Sequence, residues 1–265
     1  MASPVLHHED RGAGGDASPI VLAGSLGTTL RMWDPQVEAL TARGHRTIAY
    51  DQRGHGRSPA PDREASLTIA GLGADALALL DHLGIARATF VGLSLGGMVG
   101  QWLAAHAPDR IDRLVLLCTT AHLPPASAWL ERAAAVRAAR SVGVVADAVV
   151  ARWVTAGFAA AHPATFAGLR AMLAGQPPEG YATCCEAIAA MDLRGDLSAI
   201  RAPTLVIAGA QDLAIPLEHQ RRLAAAIPGA RLAILDPGAH LVSVEQPTAV
   251  CDLITDHRDR EPLGT

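Results

Sequence analysis

The stretch Phe90-Val91-Gly92-Leu93-Ser94-Leu95-Gly96-Gly97 decides how the rest of the chain is read. An apolar run over Ala88–Val91 stops at Gly92. A helical pattern starts near Gly96, with Met98, Val99, Trp102 and Leu103 on one face. Between them stands a single serine with a glycine two positions to either side. A strand that turns sharply into a helix needs that pattern. The serine takes a strained backbone conformation, and residues without side chains let strand and helix close on each other. The hydroxyl is then presented at the end of the sheet, beside the amides of a helix N-terminus. A serine that merely caps the helix also fits the bare pattern, so the reading depends on what surrounds it.

Outward from this turn, strands and helices alternate. Apolar runs at Pro19–Ala23, Thr47–Tyr50, Arg113–Cys118, Ala202–Gly209 and Arg231–Leu235 read as strands. A short edge strand is expected near Val5-Leu6. Helices are expected from Asp34-Pro35 to Gly44, over Ser66–Leu83, over Pro216–Ile227 and from about Glu245 to Ile254; the tail from His257 is expected to fray. Such alternation predicts an α/β fold, a mostly parallel sheet of about eight strands with helices on both faces. Residues 121–195 break the rhythm: Ser127–Arg140, Val142–Gly157, Pro163–Gly175 and Gly180–Met191 all read as helices. That stretch is expected to be an inserted helical cap, dividing the core into residues 1–120 and 196–265.

Composition excludes several classes. The chain has 265 residues, a net charge of −4 and an apolar fraction of 50%, enough for a large core. Its 22 basic side chains are all arginine, scattered rather than clustered, so neither nucleic acid nor a membrane surface is an expected partner. The four cysteines match no zinc spacing and are expected to be reduced thiols. The N-terminal residues lack the apolar core of a signal peptide, and no run is long enough to span a membrane. A cytoplasmic protein is expected. Gly24-x-x-Gly27 lacks the third glycine of a dinucleotide fingerprint, and the histidines form no metal cluster; no metal and no cofactor is expected. His55 reads as a structural hydrogen-bonder, Arg53 as a brace of its turn, and His7, His8, His162, His219 and His257 as surface residues.

A serine nucleophile needs a base, and the base an orienting acid, at the same sheet edge. Asp212 follows the strand ending at Gly209, and His240 follows the strand ending at Leu235. Their order after Ser94 is serine, acid, histidine, as this kind of turn requires. Asp236 is a rival acid, four residues before the base. The amide of Leu95 and that of Leu26, in the loop after the first long strand, are the expected oxyanion donors.

These motifs, with Asp51-x-Arg53-Gly54-His55-Gly56-x-Ser58, resemble the α/β-hydrolase superfamily over nearly the whole chain. Within it the chain is similar to the 3-oxoadipate enol-lactonases. The similar segments are Ser25-Leu26-Gly27-Thr28 to Met32-Trp33, Trp129-Leu130-Glu131-Arg132-Ala133, Arg152-Trp153, Gly180-Tyr181-Ala182 with Cys185-Glu186-Ala187-Ile188, and Asp192-Leu193-Arg194. One departure is Gly24-Ser25, where many superfamily members carry His-Gly; the lactonase group tolerates serine there. No fused decarboxylase domain is expected. The resemblance implies attack of Ser94 on an anionic small-molecule lactone, with Arg132 receiving the carboxylate and Trp129 and Trp153 as pocket walls. Carboxylesterases, C–C bond hydrolases and cofactor-free haloperoxidases use the same triad, and a hydrolase-like ligand receptor retains it; these alternatives stay open. Haloalkane dehalogenases and epoxide hydrolases need aspartate where Ser94 stands.

Overall fold

The computed structural model describes residues 5–12, 18–60 and 66–260. Seven strands form one sheet among them: β1 (His8–Arg11), β2 (Ile20–Ala23), β3 (Thr47–Tyr50), β4 (Ala88–Leu93), β5 (Ile111–Leu117), β6 (Thr204–Gly209) and β7 (Arg231–Leu235). Their spatial order is β1-β3-β2-β4-β5-β6-β7, with only β1 antiparallel to its neighbour. The count is one short of the expected eight, and the edge strand starts at His8, not at Val5-Leu6.

Every residue of β2, β3, β4 and β6 is buried, on both sides of the pleat. Strands with no polar alternation need cover on both faces. It comes from α1 (Asp34–Ala42), α2 (Ile69–His82), α3 (Leu95–His106), then α9 (Leu217–Ala226), α10 (Val242–Glu245) and α11 (Pro247–Asp259). Helix α2 starts where the hydroxyl of Thr68 accepts from the amide of Gly71, so it is three residues shorter at its start than its apolar pattern predicts. Helix α11 runs past the expected end at Ile254. His257 is buried on it, its ring set between the Pro203 carbonyl (3.0 Å) and Arg231 (3.2 Å), which corrects the surface reading.

Between β5 and β6 lie α4 (Ala126–Ala139), α5 (Gly143–Val150), α6 (Ala156–Ala161), α7 (Pro163–Ala174) and α8 (Pro178–Ala189), with no strand among them. The helix expected over Val142–Gly157 is broken. Turns occupy 151–154, and Thr155 restarts the helix by accepting from the Phe158 amide at 3.2 Å. Arg137 on α4 clamps both Glu179 and Glu186 on α8, locking those two helices side by side. No described helix is long and apolar enough to cross a membrane.

Candidate active site

Five strand ends converge on the carboxyl edge of the sheet: Ala23, Tyr50, Leu93, Gly209 and Leu235. The turn at the end of β4 is as tight as its sequence requires. Ser94 has φ 55° and ψ −112°, a backbone conformation that non-glycine residues rarely adopt. A Cβ on Gly92 would collide with the Gly96 carbonyl, and one on Gly96 with the Ala23 carbonyl. The strain is held from three sides. The Ser94 amide donates to Leu117 O (2.9 Å), its carbonyl accepts from the Thr119 hydroxyl (2.8 Å), and the Gly96 amide donates to Gly24 O (3.1 Å). A non-glycine residue stays at positive φ only where its surroundings over-determine it, as they do here.

The loops after β6 and β7 are laced together. The Ala210 amide donates to Leu235 O and the Gln211 amide to Gly238 O, at 3.0 and 2.8 Å. Across that seam the Nδ1 of His240 lies 3.0 Å from Oδ2 of Asp212, both residues being buried. The Asp212 Oδ1 accepts the amides of Ala214 (2.8 Å) and Ile215 (2.9 Å). One carboxylate oxygen thus fixes the loop and the other faces the imidazole. Asp236, the rival acid, is instead within 3.5 Å of the exposed Gln211 side chain. Ser94 and His240 line one small cavity, about 50 Å³, which Leu26, Ala214 and Tyr181 also border.

The loop after β2 bends around Gly27, whose φ of +83° needs glycine. Its amide donates to Nε2 of His55 at 2.9 Å, while the His55 Nδ1 lies 3.3 Å from Arg53 O. The ring is therefore a neutral tautomer with Nδ1 as donor, and burial pushes its pKa down to about 4. This is the structural hydrogen-bonder expected from sequence, and it supports the loop that carries Leu26. Asp51 supports the same loop by accepting the Leu30 amide at 2.7 Å. Arg53 forms a two-pronged ion pair with the buried Asp75. Among the described residues, the amides of Leu26 and Leu95 donate to no protein acceptor.

The helical segment closes the cavity. Trp129, Arg132 and Trp153, all expected from sequence, line it, and the Arg132 guanidinium stacks 4.5 Å over the Trp129 ring. The sequence reading missed Arg152 and Tyr181, which line it as well. Neither Arg132 nor Arg152 has a carboxylate partner among the described residues. Burial and the nearby positive charge of Arg132 hold Arg152 below the usual guanidinium range. Tyr181 is fully buried and its hydroxyl completes no hydrogen bond. Arg152 Nε donates to the Ala148 carbonyl at 3.3 Å, so two guanidinium groups without a carboxylate and one tyrosine hydroxyl border the cavity, a lining that suits an anionic or strongly accepting ligand. A second cavity, about 500 Å³, lies against Thr120, His122, His219 and Leu223, and contains none of Ser94, Asp212 and His240. Among the described residues no cluster of side chains could hold a metal ion.

A strained serine, a buried imidazole–carboxylate pair and amides at a helix start are thus gathered at one edge of a parallel sheet. The chain belongs to the α/β hydrolase fold family, whose model matches residues 18–247. Among curated proteins it is similar to 3-oxoadipate enol-lactonase 2 of Acinetobacter baylyi, with 41% identity over 88% of this chain and 86% of the relative. A Caulobacter protein provisionally named as a carbamate hydrolase matches at 35% identity over 92% of both chains. Among solved structures, the enol-lactonase from Burkholderia xenovorans superposes with a TM-score of 0.92 and 42% identity over 96% of each chain.

Proposed function

We propose that this protein is a serine hydrolase that opens 3-oxoadipate enol-lactone to 3-oxoadipate, with residues 121–195 acting as a cap over the reacting edge. The observation that carries the substrate reading is the pair of guanidinium groups with no carboxylate partner among the described residues, Arg132 and Arg152, beside the cavity that Ser94 and His240 share. A lactone carrying one carboxylate supplies the missing acceptor, and planar guanidinium groups suit it. The similarity to the Acinetobacter and Burkholderia lactonases supports the same choice.

In this mechanism His240 takes the Ser94 proton as the serine oxygen attacks the lactone carbonyl. The amides of Leu26 and Leu95 hold the oxyanion, and Asp212 fixes the histidine tautomer and stabilises the imidazolium. Collapse breaks the ring C–O bond and expels an enol oxygen, which His240 protonates. The enol becomes a ketone, so the ring does not readily close again. The leaving group stays tethered, and the acyl-enzyme retains every atom of the substrate. Water activated by His240 then releases 3-oxoadipate and restores Ser94.

Rates on the enol-lactone, 4-nitrophenyl acetate and an alkyl carbamate test this directly. A kcat/KM on the lactone at least a hundredfold above that on the other two is expected. A preference for the acetate or the carbamate would overturn the lactonase assignment and leave the serine mechanism standing.

A further inference from the structure

The loop that carries His240 is bonded on both sides to the cap. The Leu241 amide, just after the histidine, donates to Trp153 O at 2.7 Å. The Ala239 amide, just before it, donates to Oε2 of Glu245 at 2.5 Å. The other oxygen of that carboxylate, Oε1, accepts the Thr155 amide at 2.7 Å. Glu245 is partly buried at the end of α10 and has no arginine partner among the described residues. Its carboxylate therefore serves two backbone donors, one on each side of the division between sheet and cap. A carboxylate accepting two amides is a strong, directional tie.

The cap side of this tie is the substrate-facing segment. Residues 151–154 are the turns that break the expected helix, and they place Arg152 and Trp153 at the cavity. The cavity of about 50 Å³ is far below the roughly 300 Å³ or more typical of small-molecule sites. The walls must part to admit substrate and close again around it. Any movement of Arg152 and Trp153 pulls on Leu241 directly and on Ala239 through Thr155 and Glu245.

We propose that Glu245 is a positioning residue that couples capture of the substrate carboxylate by the cap to the placement of His240. Closure of the 151–155 segment on an anionic substrate sets the histidine for proton transfer, and an uncharged ester that leaves the segment unengaged gains nothing from it. The inference rests on the proposed function for the identity of the anionic substrate, and it requires only that the substrate carry a carboxylate.

The test uses the full chain and two substrates with one leaving group: the 4-nitrophenyl half-ester of succinate, which keeps a carboxylate, and 4-nitrophenyl acetate, which does not. Glu245→Gln keeps the shape and retains one acceptor. It is expected to lower kcat on the half-ester ten- to a hundredfold with KM within about threefold, and to change the acetate rate by less than about threefold. Thr155→Pro removes the cap-side amide, the native φ of −66° being one that proline adopts, together with the hydroxyl that caps Phe158. Thr155→Ala, which removes that hydroxyl alone, is the control, and the same pattern is expected of the proline variant but not of the alanine one. In an Arg152→Met background, Glu245→Gln is expected to cost less than about threefold on the half-ester. Equal losses on both substrates, a loss that simply multiplies with that of Arg152→Met, or no loss on the half-ester would overturn the coupling. Wild-type enzyme that hydrolyses the half-ester but not the enol-lactone would defeat the proposed substrate and leave the coupling to stand or fall on the same comparison.

Discussion

The strand-end loops and the helical segment between β5 and β6 meet at one cavity, yet they are specified differently. Ser94, Asp212 and His240 each lie just beyond a parallel strand, where the backbone itself imposes geometry: a positive φ at Ser94, close approach at Gly92 and Gly96, laced loops under Asp212 and His240. Arg132, Arg152 and Tyr181 come from three separate places in the helical segment and meet only because α4, the turn after α5 and α8 pack together. In the proposed mechanism the loops hold the chemistry, which depends on backbone. In the same proposal the helices hold the selection, which depends on side chains. Changes to the first set should hurt every substrate alike, and changes to the second should alter which substrate is preferred.

Ser94→Ala gives the largest effect expected. It should lower kcat by at least about 10⁴-fold on lactone and ester alike, with folding unchanged by circular dichroism. A loss confined to one substrate would break the division drawn above. Gly96→Ala follows, because its Cβ would meet the Ala23 carbonyl, which belongs to a buried strand that cannot retreat. A loss of about 3 kcal/mol or outright failure to fold is expected in urea unfolding. Arg152→Met should reduce kcat/KM on carboxylate-bearing substrates about 10- to 100-fold, the worth of one or two charge-assisted hydrogen bonds. On 4-nitrophenyl acetate it should change little. An equal loss on both would place Arg152 in the chemistry.

The smallest effect is on stability against pH. His55 and His257 are buried and neutral, each with its pKa pushed down to about 4. In the unfolded chain both titrate near the ordinary value of about 6.5. Below that pH the unfolded state binds protons that the folded state refuses, so stability present above about pH 6.5 falls as pH drops toward 4. The slope is about 1.4 kcal/mol per pH unit for each histidine fully engaged. His257→Gln should remove about half of this histidine-derived slope between pH 6 and 5 in urea titrations, without altering activity at pH 7. An unchanged slope would contradict the neutral buried ring.

The same contrast explains what could be read from sequence. The strand-end residues were legible because their signals are local: glycines about a serine, and an acid and a histidine each a few residues past an apolar run. His55 was legible as a structural group for the same reason, standing in a glycine-rich turn. His257 was misread because polar neighbours near a terminus hide that its helix packs the ring under β7. Arg152 was missed because the pattern over Val142–Gly157 predicts one unbroken helix, and an arginine within it looks solvated. The turns at 151–154 undo that helix through tertiary bonds, Leu241 to Trp153 and Thr155 to Glu245, that no local rule encodes. Glu245 carries no motif at all. Its role exists only in the fold, where it faces two amides ninety and six residues away along the chain.

Intact-mass analysis of rapidly quenched turnover tests the central claim most directly. A tethered leaving group means that the enol-lactone should add its whole mass to the protein, on the peptide bearing Ser94, with no adduct in Ser94→Ala. Continued lactone hydrolysis by Ser94→Ala, or turnover with the adduct on another residue, would contradict it.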